Sequence, residues 1–162
     1  EPNVMFRLVG LDKKKYWETK FAKEYPSLLQ NINFIGEKRG KELDTEYKHC
    51  DIFIAPSRYE SFGLIYAEAM SFSKPVIGTN VGGIPEVIDH EKTGFLCENE
   101  NPQDFANKLL ILTANTELRI RMGKSGRKKT MEHFDFQNMV TRTEEFYREI
   151  IIKSKGENLS VN

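Results

Sequence analysis

Five short apolar runs punctuate the chain: NVMFRLVG (3–10), INFIG (32–36), DIFIAPS (51–57), PVIGT (75–79) and GFLC (94–97). Each is rich in β-branched or aromatic side chains and bounded by turn residues, the signature of a short buried strand. The polar stretches between them carry apolar residues at helical spacing over about 12–25, 40–48 and 63–72, with a short helical turn at 85–89. Strand, helix, strand in steady alternation predicts parallel strands joined by right-handed crossovers. The expected fold class is therefore α/β: a Rossmann-like open parallel sheet with helices on both faces. After Leu96 the pattern turns wholly helical. Asn101-Pro102 reads as an N-cap and first turn, followed by Phe105, Leu109 and Leu112 at spacings of four and three. A second helix is predicted over 116–130 and a third from Phe136, carrying Met139, Val140, Phe146, Tyr147, Ile150 and Ile151. The tail KSKGENLSVN reads as frayed. With no repeat, low-complexity tract or linker, residues 1–162 are expected to form a single domain.

In an open parallel sheet, ligands collect at the carboxyl ends of strands, where loops lead into helices. The densest such passage is RYESFGLIYAEAMSFSKPVIGTNVGGIPE, from Arg58 to Glu86. Gly63 opens the helix there, and the amides of Gly63, Leu64 and Ile65 point outward with the positive end of the helix dipole behind them. That combination suits a diphosphate. Glu60 precedes the turn and can reach hydroxyls beyond the distal phosphate. Glu68, five residues into the helix, lies roughly 7–8 Å further along at 1.5 Å per residue, which suits the two hydroxyls of a ribose. Sugar, diphosphate and ribose thus fit in one line. Gly82-Gly83 offers a second loop of close approach at the next strand end, and Arg58 is placed to balance phosphate charge.

Composition narrows the partners. Lys+Arg and Asp+Glu both number 24, so the net charge is zero and nothing in the bulk balance favours nucleic acid. No apolar run nears the roughly 20 residues of a membrane span, and EPNVMFRLVG lacks the flank and length of a signal peptide. The two cysteines, Cys50 and Cys97, have no metal-ligand spacing and read as free thiols in a reducing, cytoplasmic compartment. His49, His90 and His133 stand apart from one another, so no metal site is expected. The basic runs KKK (13–15) and KSGRKK (124–129) read first as solvated helix faces and second as a peripheral contact with the inner face of a membrane carrying a lipid-linked acceptor. Tyr66, Met70 and Phe72 read as packing residues.

The stretch PSRYESFGLIYAEAMSFSKPVIGTNVGGIPEVIDHEKTGFL closely resembles the carboxyl-terminal donor domain of the retaining glycosyltransferases of family 4, which have the GT-B fold and an E-x7-E motif. INFIG, CDIFIAPS, NPQDFANKLLIL and HFDFQNMV extend the likeness over nearly the whole chain. The resemblance implies a nucleotide-diphosphate sugar as substrate, no cofactor and no metal. Glu60 then touches the donor sugar as the catalytic-site acid, Phe62-Gly63-Leu64 the phosphates, and Glu68 the ribose. The end of FIGEK lies against the nucleobase, making Glu37 and Lys38 candidates there.

Two departures accompany the likeness. Ser73 stands where the family has a helix-ending glycine. The family's first strand of this domain, its phosphate-neutralising Arg and Lys, and its amino-terminal acceptor domain are expected upstream of Glu1, so turnover is not expected from these residues alone. The acceptor, a saccharide or a lipid-linked molecule, stays open. Two other readings also remain: a sugar-nucleotide epimerase of the same architecture, and a non-catalytic nucleotide-binding module.

Overall fold

The computed structural model describes residues 4–11 and 15–157. Lys13 and Lys14, and the end of the tail from Asn158, lie outside the described residues. The chain divides into two compact units, Glu1–Cys50 and Asp51–Asn162.

In the first unit, β1 (Phe6–Val9) runs parallel to β2 (Ile32–Gly36), with Phe6 opposite Ile32. The connection contains α1 (Tyr16–Glu24) and a 3-10 turn at Pro26–Asn31 that the apolar pattern did not indicate. Proline at the first position of that turn fixes its entry. An apolar cavity of about 310 Å³ lies between Trp17 and Phe21 of α1 and Leu8, Val9 and Phe34 of the ladder. The second helix, α2 (Lys41–His49), is tied to β1 by a two-pronged ion pair, with Arg7 Nε and Nη2 donating to Glu46 at 2.8 and 2.9 Å. This guanidinium holds the Glu46 carboxyl below the usual carboxylate range.

The second unit carries the segment of interest. β3 (Phe53–Ala55), β4 (Val76–Thr79) and β5 (Gly94–Cys97) form one parallel sheet in the order β3-β4-β5, with Ile54 opposite Ile77 and Ile77 opposite Phe95. The crossovers are α3 (Leu64–Ser71) and the single turn α4 (Ile84–Val87); α5 (Pro102–Ala114), α6 (Thr116–His133) and α7 (Phe136–Glu157) follow. The strands are parallel throughout, as the alternation predicts, but among the described residues they form two ladders, because alternation specifies crossovers and not which strands become neighbours.

Alternation of side chains along β4 separates two packing faces. Ile77 joins Phe95, Cys97, Leu112 and Met122 in one buried cluster. Gly78 faces the other way, and a β-carbon there would lie 2.9 Å from the Tyr66 ring and 3.0 Å from Ile88 Cδ1. α3 is held between the sheet and α6, with Tyr66, Ala67, Ala69 and Met70 buried. The contact with α6 is close because small residues face it: a β-carbon on Gly126 would lie 2.9 Å from Met70 Cγ.

Ser73 does adopt the left-handed conformation, with φ 59°. The amide of Ser73 donates to Met70 O at 2.8 Å and that of Lys74 to Ala69 O at 3.2 Å, the two bonds that close a helix around a left-handed residue. Serine therefore does the work expected of glycine at that position. Cys97 is buried and Cys50 half-buried, and neither is in a disulfide. No helix among the described residues is long and apolar enough to cross a membrane.

Candidate functional site

The candidate site is built by two loops at the carboxyl ends of β3 and β4. Their bases are joined by the buried Thr79 hydroxyl, which donates to the carbonyl of Ser57. From there the first loop runs through Arg58, Tyr59 and Glu60 into α3, and the second through Gly82 and Gly83 into α4.

Gly63 is the residue before α3 and takes φ 92°, a conformation open to glycine and strained for any other residue. It must be glycine for a second reason. A β-carbon there would sit 2.9 Å from Tyr66 Cδ2 and 3.6 Å from Glu60 Cγ. Tyr66 is fully buried, packs edge-on to Phe53, and donates its hydroxyl to Ala55 O at 2.6 Å. It thus props the turn against the end of β3, which accords with the packing role expected of it.

No side chain caps α3 or α4. In the same unit α5 and α6 are capped by asparagines, Asn101 accepting from the Asp104 amide at 3.0 Å and Asn115 from the Leu118 amide at 2.9 Å. α3 thus keeps its first amides clear of its own side chains, whereas the supporting helices do not, and in α4 the Ile84 and Glu86 amides already donate to Val81 O and Gly83 O. Along α3 the outward stripe consists of Leu64 and Glu68, one turn apart and both exposed, with Glu60 half-buried in the loop before it.

The glycine pair has a more specific place than the sequence suggested. Gly82 adopts φ 52°, and a β-carbon on it would meet the carbonyl oxygen of Glu60. One on Gly83 would meet Ser61 O and lie 2.8 Å from Phe62 Cα, while the Gly83 amide donates to Glu60 O at 3.1 Å. The close approach at this pair is thus made by the backbone of the Glu60 loop. Arg58 is exposed and lies 3.5 Å from Glu100. Phe62 stacks edge-on against Phe134, 5.8 Å between ring centres.

Glu60, Phe62, Gly63, Leu64, Glu68, Gly82 and Gly83 are therefore gathered on adjoining turns of one unit. Glu37 and Lys38 belong to the first unit, after β2, where Glu37 pairs with Arg39 and Lys38 lies 3.6 Å from Glu42. His90 has a turn role: its Nδ1 accepts the Leu96 amide at 2.9 Å. Among the described residues no three His, Cys, Asp or Glu side chains gather as a metal ion would need. Sequence reasoning missed Phe134, which meets the first loop at Phe62, and Lys129, which reaches the far end of α4, because both partners are distant in the chain and leave no local pattern.

Burial, with the nearby Glu60 charge as a lesser cause, pushes the Tyr66 phenol up to about 12. The neutral hydroxyl is the folded form, so its contribution is complete below about pH 10 and is lost as pH rises towards 12. Over that window this one group is expected to remove about 1.4 kcal/mol of stability per pH unit. Tyr66→Phe should flatten the alkaline limb of a urea-midpoint-against-pH curve, and an unaltered limb refutes the assignment.

The chain matches the family described as glycosyl transferases group 1 over residues 1–129. A glycosyltransferase of Methanocaldococcus jannaschii, itself uncharacterized, is 36% identical over 122 residues, which are 75% of this chain and 34% of that protein. Sucrose-phosphate synthase from Thermosynechococcus elongatus superposes with a TM-score of 0.81 at 27% identity, covering 91% of this chain and 38% of the other. HepE of Anabaena, solved in complex with UDP, gives a TM-score of 0.83 at 23% identity over 92% of this chain and 42% of its own. The chain thus spans about a third of the curated relative and about two fifths of the solved ones. Its parallel α/β architecture is the Rossmann-like half of the GT-B fold that those structures carry.

Proposed function

Because this chain belongs to the glycosyl transferases group 1, we propose that it is the donor-binding half of an enzyme that moves a sugar from a nucleoside-diphosphate sugar to an acceptor. The observation that carries the proposal is the turn at Gly63: a left-handed glycine ahead of an uncapped helix, with Glu60 before it and Glu68 on the outward stripe. In this reading the first amides of α3 receive the diphosphate, Phe62 and Leu64 flank it, Glu68 accepts from the ribose hydroxyls, and Glu60 accepts from the donor sugar. Arg58 adds a cation that Glu100 already steadies.

The chemistry is leaving-group stabilisation. Fixed amide dipoles and cations hold the departing diphosphate as charge develops on it, so neither glutamate serves as a nucleophile. Retention at the anomeric carbon, independence of metal, and the place of Glu37 and Lys38 at the nucleobase belong to the same proposal and rest on the E-x7-E resemblance. The acceptor surface belongs to the part of a longer protein that these residues do not span.

Titration with uridine, guanosine and adenosine diphosphates tests the reading. One of them should bind, and Glu68→Gln should weaken it about tenfold, roughly 1.5 kcal/mol, through loss of charge-assisted hydrogen bonds. Unchanged affinity removes the ribose assignment. Failure of all three to bind the full-length protein removes the donor reading.

A further inference from the structure

The basic run of α6, Lys124 to Lys129, has no part in the donor reading, and its cations do not act alike. Lys124 and Lys128 face solvent, the latter 3.8 Å from Glu132. Arg127 is also exposed, its Nη1 donating to the Ser71 carbonyl at the end of α3 at 3.2 Å. Lys129 is the most enclosed, with a side chain only 15% exposed. Its Nζ donates to Glu86 O at 2.9 Å and to Asp89 Oδ1 at 2.6 Å.

These two bonds hold α4 from its carboxyl end, where a cation also suits the helix dipole. From α4 the path to the candidate site is entirely backbone. The Glu86 amide donates to Gly83 O at 3.1 Å, and the Gly83 amide donates to Glu60 O at 3.1 Å. Glycines at 82 and 83 put no side chain of their own between the two loops, where a β-carbon on Gly83 would meet Ser61 O and Phe62 Cα. Asp89 is a firm partner, since the Thr93 amide donates to its carbonyl at 2.9 Å and its own amide donates to Thr93 Oγ1 at 3.0 Å.

We propose that Lys129 is a positioning residue for Glu60. It latches α4 and, through the Gly83–Glu60 backbone bond, sets where the Glu60 carboxylate stands. The consequence for a donor sugar rests on the donor reading; the latch itself does not. Of the cations in the basic run, Lys129 then serves the site from within the fold, while Lys124, Arg127 and Lys128 are exposed.

Hydrogen exchange at the Gly83 amide tests the latch in this chain without any ligand. Lys129→Met should speed that exchange about tenfold relative to amides of β4 such as Ile77, and Lys129→Arg should restore most of the protection. Lys128→Met should leave it unchanged. Asp89→Asn removes the partner charge with little change of shape and should give the same local signature if Lys129→Met folds poorly. Gly83 exchange that is unmoved in both Lys129→Met and Asp89→Asn overturns the proposal. So does a uniform loss of protection that includes β4, because that marks a general structural role. With whichever nucleoside diphosphate binds, Lys129→Met should change its affinity less than twofold while weakening its glucose ester about tenfold; equal losses overturn the positioning of Glu60. Absence of any nucleotide binding by the native protein instead removes the donor reading and leaves the exchange result to stand alone.

Discussion

Alanine at Gly83 is expected to cost about 2–4 kcal/mol of folding stability, a large effect for adding one methyl group. The reason is what the methyl meets. It would lie against Ser61 O and Phe62 Cα, and these are backbone atoms that no rotamer change can move aside. Relief requires the two loops to separate, which breaks the bond from the Gly83 amide to Glu60 O. Gly83 has φ −83°, so the cost is one of space and not of backbone conformation. A urea denaturation midpoint unchanged from the native protein shows that the loops do not abut. Binding of a nucleotide sugar should fall together with stability, since the Glu60 loop is displaced.

Replacing Glu60 by glutamine should lower sugar transfer by the full-length enzyme roughly 30- to 150-fold, the rate equivalent of about 2–3 kcal/mol for charge-assisted hydrogen bonds lost at the donor. Affinity for the sugar-free nucleoside diphosphate should stay within about twofold of native. This division follows from the structure of the loop. Glu60 engages Gly83 through its backbone carbonyl, so an isosteric side chain leaves the loop in place and removes only the carboxylate charge. Steady-state transfer and a separate nucleoside diphosphate titration check the two halves. Equal losses in both show that Glu60 acts on the diphosphate end.

Much of the fold was legible in the residues. The runs at 32–36 and 94–97 coincide with β2 and β5, and Asn101-Pro102 does cap α5. Those signals are local: a strand is read from a few apolar residues and a cap from one side chain and the helix beside it. The turn at Gly63 was legible for the same reason, since one glycine, one strand end and one helix start are neighbours in sequence. The 3-10 turn at Pro26–Asn31 was not, because its mostly exposed residues carry no clean period.

Local pattern was enough to place the five strands and the main helices, to make their connections parallel crossovers, and to put Glu60, Gly63 and Glu68 on one loop and helix. Tertiary structure alone decided what holds that loop. That Gly83 lies on the Glu60 backbone, that the Tyr66 hydroxyl reaches Ala55 O at the end of β3, and that Lys129 reaches Glu86 and Asp89 are contacts between different segments of the chain. Side-chain periodicity records which face of an element is buried but not which distant residue covers it. Lys129 therefore reads as one of several solvated lysines until α6 is laid across the end of α4.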